Sequence, residues 1–278
     1  MSKPDQPTWL TARARHRLTR EGHERAVLAL RTDGLSTLPF IDPPDRQRRL
    51  EAQICARLAR SYGLRDSDST WFAGLGVHAT RTELTIDAGE TTRTSRLLDE
   101  LVPCIDEEDQ VHGVPGLRAH RVGSFWQLTH LKLPDALVRI ATHGVLELPD
   151  SPEPLLTEDR MTSAEQNRFD ADEAYAPRGL EDWILLCSRL LRRPALLDPC
   201  SLGAETASVY TKGHDLCLEW TGPLETGQYF ETVLGAHLDV TSDPHYDEVL
   251  FIADHRHHTN QVITNFGKAR FIFRRHPD

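Results

Sequence analysis

The sequence predicts an α+β fold, a helical N-terminal region followed by a mainly antiparallel β-sheet in the C-terminal part. Three observations predict it. Apolar residues recur at helical spacing through the first 62 residues. The last quarter is a succession of short β-type segments separated by turns. Strands and helices do not alternate in the βαβ manner of a parallel sheet, and no internal repeat is visible in the sequence.

A first helix is expected to run from a cap at Thr8 or Thr11 to Arg20, and Gly22 interrupts it. A second, carried by Ala26, Val27 and Leu30, stops at Asp33-Gly34. The third has Asp42 as cap, Pro43 at its first position and Gly63 after its end, with Leu50, Ile54, Leu58 and Tyr62 on one face. Residues 71–90 alternate like strands. A short helix through Leu97, Leu98 and Leu101 stops before Pro103, and 102–116 is an acidic loop. From Leu117 to Leu133 the chain reads as extended, and Pro134 opens a further helix that Gly144 closes.

Residues 148–160 hold three prolines among acids and read as a linker. They divide a helix-rich N-terminal lobe, 1–147, from a C-terminal lobe with the antiparallel sheet, 161–278, although the two have room to pack as one domain. Thr162-x-x-Glu165 has the spacing of a capping box. Leu180, Trp183, Ile184, Cys187, Leu190 and Leu191 form the stripe of a helix from about 179 to 193. Strands are expected at 206–211, 215–220, 229–234, 236–241, 248–254, 261–266 and 269–274. The segment at 248–254, apolar on both faces, reads as a central strand.

The chain carries a net charge of −10. That argues against nonspecific nucleic-acid binding by bulk charge, which normally needs a basic excess. The charge is uneven, however. Residues 10–65 hold twelve arginines against six acids, and residues 147–173 nine acids against two arginines. Arg46, Arg48 and Arg49 are therefore candidates for meeting nucleic acid or another anionic partner, the competing reading being a solvated face paired with the acidic loops at 99–109 and 147–173. No run of apolar residues is long enough for a membrane span, and the first residues lack the apolar core of a signal peptide. The expected location is cytoplasmic. The five cysteines show no Cys-x-x-Cys spacing, which fits reduced thiols better than a zinc ribbon or a disulfide framework.

Chemistry concentrates in the segment from His237 to His258. His237 and Asp239 lie two apart, so a strand would project both from one face. Asp254, His255 and His257 would lie near them if the next strand returns as a hairpin. Imidazole and carboxylate together suit a divalent transition metal, with His237, Asp239, His255 and His257 as ligands. His237-x-Asp239 is half of an iron-oxygenase triad, but no distant third ligand follows. His78-Ala79-Thr80 with Pro103-Cys104 partly matches the zinc-deaminase layout. Thr80 replaces its glutamate and Glu107 its second cysteine, so that reading fails. Gly74-x-Gly76 lacks a third glycine, and no Gly-x-Ser-x-Gly elbow is present.

Two functions follow as expectations. One is a metal-assisted hydrolase or transferase with its site on the C-terminal sheet. The other is a noncatalytic interaction protein whose Arg-rich N-terminal helices bind an acidic partner or nucleic acid.

Overall fold

A computed structural model describes residues 6–33, 42–60, 70–142, 159–174, 180–212, 215–229, 249–254, 259–266 and 268–276. Within them the fold is α+β, with helices and two five-stranded mixed sheets.

Helices α1 (Gln6–Thr19) and α2 (His23–Thr32) come first, and α1 starts ahead of both threonines expected to cap it. Arg20 joins them in the left-handed conformation, φ 57°, and its guanidinium binds Asp198 far along the chain. Helix α3 (Asp45–Arg60) buries Leu50, Ile54, Cys55 and Leu58. It begins three residues after the expected cap, because the Asp42 carboxylate receives two hydrogen bonds from Arg189 at 2.9 and 2.7 Å.

The first sheet has the order β1-β2-β7-β6-β5. Its strands are β1 (Gly76–Ala79), β2 (Leu84–Asp87), β5 (Leu117–Val122), β6 (Phe125–His130) and β7 (Leu133–Ala141). Helix α4 (Thr91–Leu101) and a two-stranded hairpin, β3 (Cys104–Ile105) and β4 (Val111–His112), lie between β2 and β5. The expected helix after Pro134 is instead β7, the middle strand of this sheet. Ala136, Val138 and Ile140 alternate with half-exposed neighbours, so the period is two. A register irregularity between Thr129 and His130 lets the pairing resume from Leu137, beyond Pro134 and Asp135.

Helix α5 (Ser163–Ala174) opens with the expected capping box. The Glu165 amide donates to Thr162 Oγ1 at 3.1 Å, and the Thr162 amide to Glu165 Oε2 at 2.9 Å. Helix α6 (Leu180–Leu191) buries Ile184, Cys187, Leu190 and Leu191 and packs along α3. Two single-turn 3-10 helices, Pro194–Leu197 and Pro199–Leu202, follow it.

The second sheet has the order β10-β11-β12-β9-β8. Its strands are β8 (Thr206–Lys212), β9 (Asp215–Thr221), β10 (Val249–Asp254), β11 (Thr259–Phe266) and β12 (Ala269–Arg275), with the one-turn helix α7 (Thr226–Tyr229) after β9. The segment expected as a central strand, β10, stands at the edge of this sheet among the described residues. The middle position belongs to β12, whose Phe271 and Phe273 are fully buried. The expected strands at 229–234 and 236–241 lie outside the described residues, as does most of the 148–160 segment.

Each sheet has one parallel pair, β2 with β7 and β9 with β12; every other pairing is antiparallel. The order within each sheet is also the same, first-second-fifth-fourth-third in chain order. A repeat that the sequence does not display is thus present in the topology. One buried core runs through both halves, from Leu50 and Ile54 through Val138 and Leu190 to Trp220 and Phe273.

Candidate functional site

Of the residues singled out from sequence, His237, Asp239, His255 and His257 lie outside the described residues. Asp254 ends β10 as expected. Among the described residues no group of three or more His, Cys, Asp or Glu side chains could hold a metal ion, and no helix is long and apolar enough to cross a membrane.

Arg46, Arg48 and Arg49 occupy the first turns of α3, and each faces an acid of this chain. Arg46 meets Asp135 at 3.2 Å. Arg48 reaches Asp45 at 3.2 Å, and Arg49 reaches Asp45 at 3.0 Å and also Glu181 of α6. The acids are widely open to solvent, with Asp45, Asp135 and Glu181 exposing 53%, 89% and 60% of their side chains. Arg49 and Arg48 hold the Asp45 carboxyl below its ordinary range. The loops at 99–109 and 147–173, expected to supply the acids on this face, contribute none to these four pairs. Of the 99–109 acids, Glu100 pairs with Arg57 at 2.6 Å.

A second polar cluster escaped the sequence reading. The outer face of the second sheet gathers Glu219 of β9, Tyr210 of β8, Arg274 of β12 and His276. The Tyr210 hydroxyl donates to Glu219 Oε1. Arg274 pairs with the same carboxylate, and His276 Nε2 lies 3.0 Å from Oε2. Burial and the proton shared with Glu219 push the Tyr210 hydroxyl well up. Burial alone would raise the Glu219 carboxyl, but these donors more than offset it and hold it low. Burial, with Asp215 and Glu219 nearby, pushes the neighbouring Cys217 thiol up. The one signal available in sequence was alternation: Asp215, Cys217, Glu219 and Thr221 face away from Leu216, Leu218 and Trp220.

The β3–β4 hairpin sets Cys104 opposite His112, and His112 Nε2 lies 2.7 Å from Asp106 Oδ2. The residue types are those of a cysteine-nucleophile triad, but the electrostatics run the other way. Burial, then Asp106, Asp99 and Glu100 outweighing Arg57, pushes the Cys104 thiol up, whereas an activated thiol is pulled down. His78, the residue left from the failed deaminase match, lies on β1 with its Nδ1 2.5 Å from Glu21 Oε2. Arg15 holds the other oxygen of that buried carboxylate at 2.5 Å. Burial lowers His130 to about 4, so its ring is neutral at pH 7. Its Nε2 lies 2.9 Å from the Pro115 carbonyl, and its other nitrogen accepts from the Lys132 amide.

The Cys104 and Cys217 thiols are held protonated, the His130 imidazole neutral and the Asp45 and Glu219 carboxylates ionised, away from the near-neutral tuning of a group that moves protons in catalysis. Burial raises the Glu100 carboxyl despite its pair with Arg57. Comparison with family models, with curated proteins and with solved structures finds no match to this chain.

Proposed function

We propose that this chain is a noncatalytic interaction protein whose α3 arginines dock an acidic segment of a partner protein. The carrying observation is the set of exposed ion pairs at the start of α3. Arg46, Arg48 and Arg49 stand within two turns, and the acids they face are more than half open to solvent. Exposed pairs of this kind contribute about 0–1 kcal/mol each. A partner's carboxylates can therefore replace Asp135, Asp45 or Glu181 at little net cost.

The same acids make the patch close to neutral, and the whole chain is acidic. That favours a peptide carrying a few carboxylates over a polyphosphate backbone, whose affinity comes from releasing counterions at a strongly basic surface. The inert direction of the thiol, tyrosine and imidazole shifts supports a binding role as well.

The test is fluorescence anisotropy with a labelled polyglutamate peptide and with single-stranded DNA, at low and at physiological salt. The expected result is saturable, salt-sensitive binding of polyglutamate that weakens in the Arg46→Gln, Arg48→Gln, Arg49→Gln triple variant. Equal affinity of wild type and triple variant for the peptide at low salt overturns the proposal. Tighter binding of DNA replaces the acidic protein with nucleic acid. A near-stoichiometric transition metal that is lost in His237→Ala, together with hydrolytic or transferase turnover, replaces it with the metal-assisted enzyme.

A further inference from the structure

We infer that this chain is a fused pair of one α-ββ-α-βββ unit, and that the α3–α6 face is the docking surface that joins the two copies. The units run from Asp45 to Ala141 and from Leu180 to Arg275, spans of nearly equal length. Their leading helices start at Asp45 and Leu180, and their inner helices at Thr91 and Thr226; the two separations along the chain are identical. The same shift makes every strand of the first sheet overlap its counterpart in the second. Strand order and the single parallel pair agree as well. Each leading helix packs on the middle strand of its own sheet, α3 on β7 and α6 on β12, and the two leading helices pack on each other.

The match extends to side chains. One row across the first sheet reads His78, Thr85, Arg139, Gln127. The row through the corresponding arginine of the second reads Ser208, Glu219, Arg274, Gln261. The arginine and glutamine of the middle strand and its neighbour thus recur, and each arginine pairs with a glutamate, Arg139 with Glu83 and Arg274 with Glu219. In the facing row Leu84 pairs with Val138 and Leu218 with Phe273, all buried.

The surface between the copies has the build of a subunit interface. Leu50 and Ile54 of α3 and Cys187 and Leu191 of α6 are all fully buried in the common core. The polar centre of the surface is Glu51 of α3, which holds Arg192, Ser188 and Gln47. This buried pair ties the middle of α3 to the residue that follows α6, with the Ser188 hydroxyl of α6 on the same carboxylate.

The covalent link between two such copies is dispensable once the chain has folded. The experiment inserts a protease recognition sequence between Tyr175 and Ala176, so that α5 stays with the first unit, and cleaves the folded full-length protein. Size-exclusion chromatography and circular dichroism follow the product. The two pieces are expected to elute together at micromolar concentration with unchanged secondary structure. The Glu51→Ala variant, which strands Arg192, is expected to weaken their association about 100-fold or more, the fold-change that corresponds to breaking a buried pair. If Glu51→Ala does not fold, Glu51→Gln, which keeps the volume and the Ser188 contact, should shift the association in the same direction by less. Pieces that separate at micromolar concentration, or that lose their secondary structure when the link is cut, overturn the inference. So does an association that neither Glu51 variant changes.

Discussion

Glu51 and Arg192 meet through two hydrogen bonds, from Arg192 Nη2 to Oε1 at 2.6 Å and from Nε to Oε2 at 2.8 Å, with both side chains almost completely buried. The pair joins the middle of α3 to the residue that follows α6. The remaining Arg192 nitrogen donates to the Thr80 carbonyl at 2.8 Å. Three segments far apart in sequence are tied at one point. Glu51→Ala should therefore cost about 3–5 kcal/mol, because it leaves a buried guanidinium without its partner. Replacing both residues by methionine should cost much less than the single change, since the desolvation of both charges disappears with them. Urea denaturation of the three proteins checks this, and a double variant less stable than Glu51→Ala refutes it.

Arg118 and Glu165 form a similar closed pair between β5 and α5, at 2.9 and 3.0 Å. Glu165 also accepts from the amides of Thr162 and Gly116. Burial raises its carboxyl, and the hydrogen bonds of Arg118, Thr162 and Gly116 outweigh burial, so the folded value is depressed. A depressed carboxyl contributes stability that is present above its unfolded value, near about 4.3, and lost as pH falls through the folded value. Glu165→Gln should accordingly flatten the loss of stability below about pH 4, measured by denaturation across pH 2–7.

His130 also loses stability as pH falls, but over a higher window. Its folded value is about 4, against about 6.5 in the unfolded chain. The unfolded state binds the extra proton between those values, so stability is full above about pH 6.5 and falls as pH drops toward 4. The loss across that window is roughly 3 kcal/mol. His130→Gln should remove most of this slope, and an unchanged slope between pH 6.5 and 4 counts against it.

Gly116 adopts φ +81°, and a Cβ there would come within 2.1 Å of Met161 Cε and 3.2 Å of the His130 ring. Gly116→Ala should destabilise the fold by about 1–3 kcal/mol through backbone strain and crowding at the α5 contact. A melting temperature equal to wild type rules this out.

Arg46→Gln should leave stability within about 0.5 kcal/mol, because its partner Asp135 is nearly fully exposed. The contrast with Glu51→Ala separates a buried ion pair that holds the fold from an exposed one that does not, and parallel denaturation curves show it.

Much of the fold is legible in local pattern. The Leu50, Ile54, Leu58 stripe gives α3, Leu180 to Leu191 gives α6, and Thr162 with Glu165 gives the start of α5. Alternation gives β8, β9 and β12. Each signal is carried by residues within a few positions of one another, where period and capping act. Pro134 misled because a proline opens helices and strands alike, and only pairing with β2 and β6 decides for β7. The position of β10 at the edge of its sheet among the described residues was equally illegible, since apolar character on both faces records burial and not neighbours. Of the candidate site, Arg46, Arg48 and Arg49 were visible as a charge cluster. Their acids Asp135 and Glu181 were not, being 89 and 132 residues away.

The sequence alone determined helices α1 to α6, most strands, the α+β class and the local charge excess, because spacing and composition act at short range. Tertiary structure alone decided which charges are spent. It closes Glu51 on Arg192 and Glu165 on Arg118 in the interior, and leaves Arg46 in an exposed surface pair with Asp135. It also decided that the two halves repeat one topology. A sheet order is fixed by long-range hydrogen bonding and burial, which many different side chains satisfy equally, so it can recur where the sequence shows no repeat.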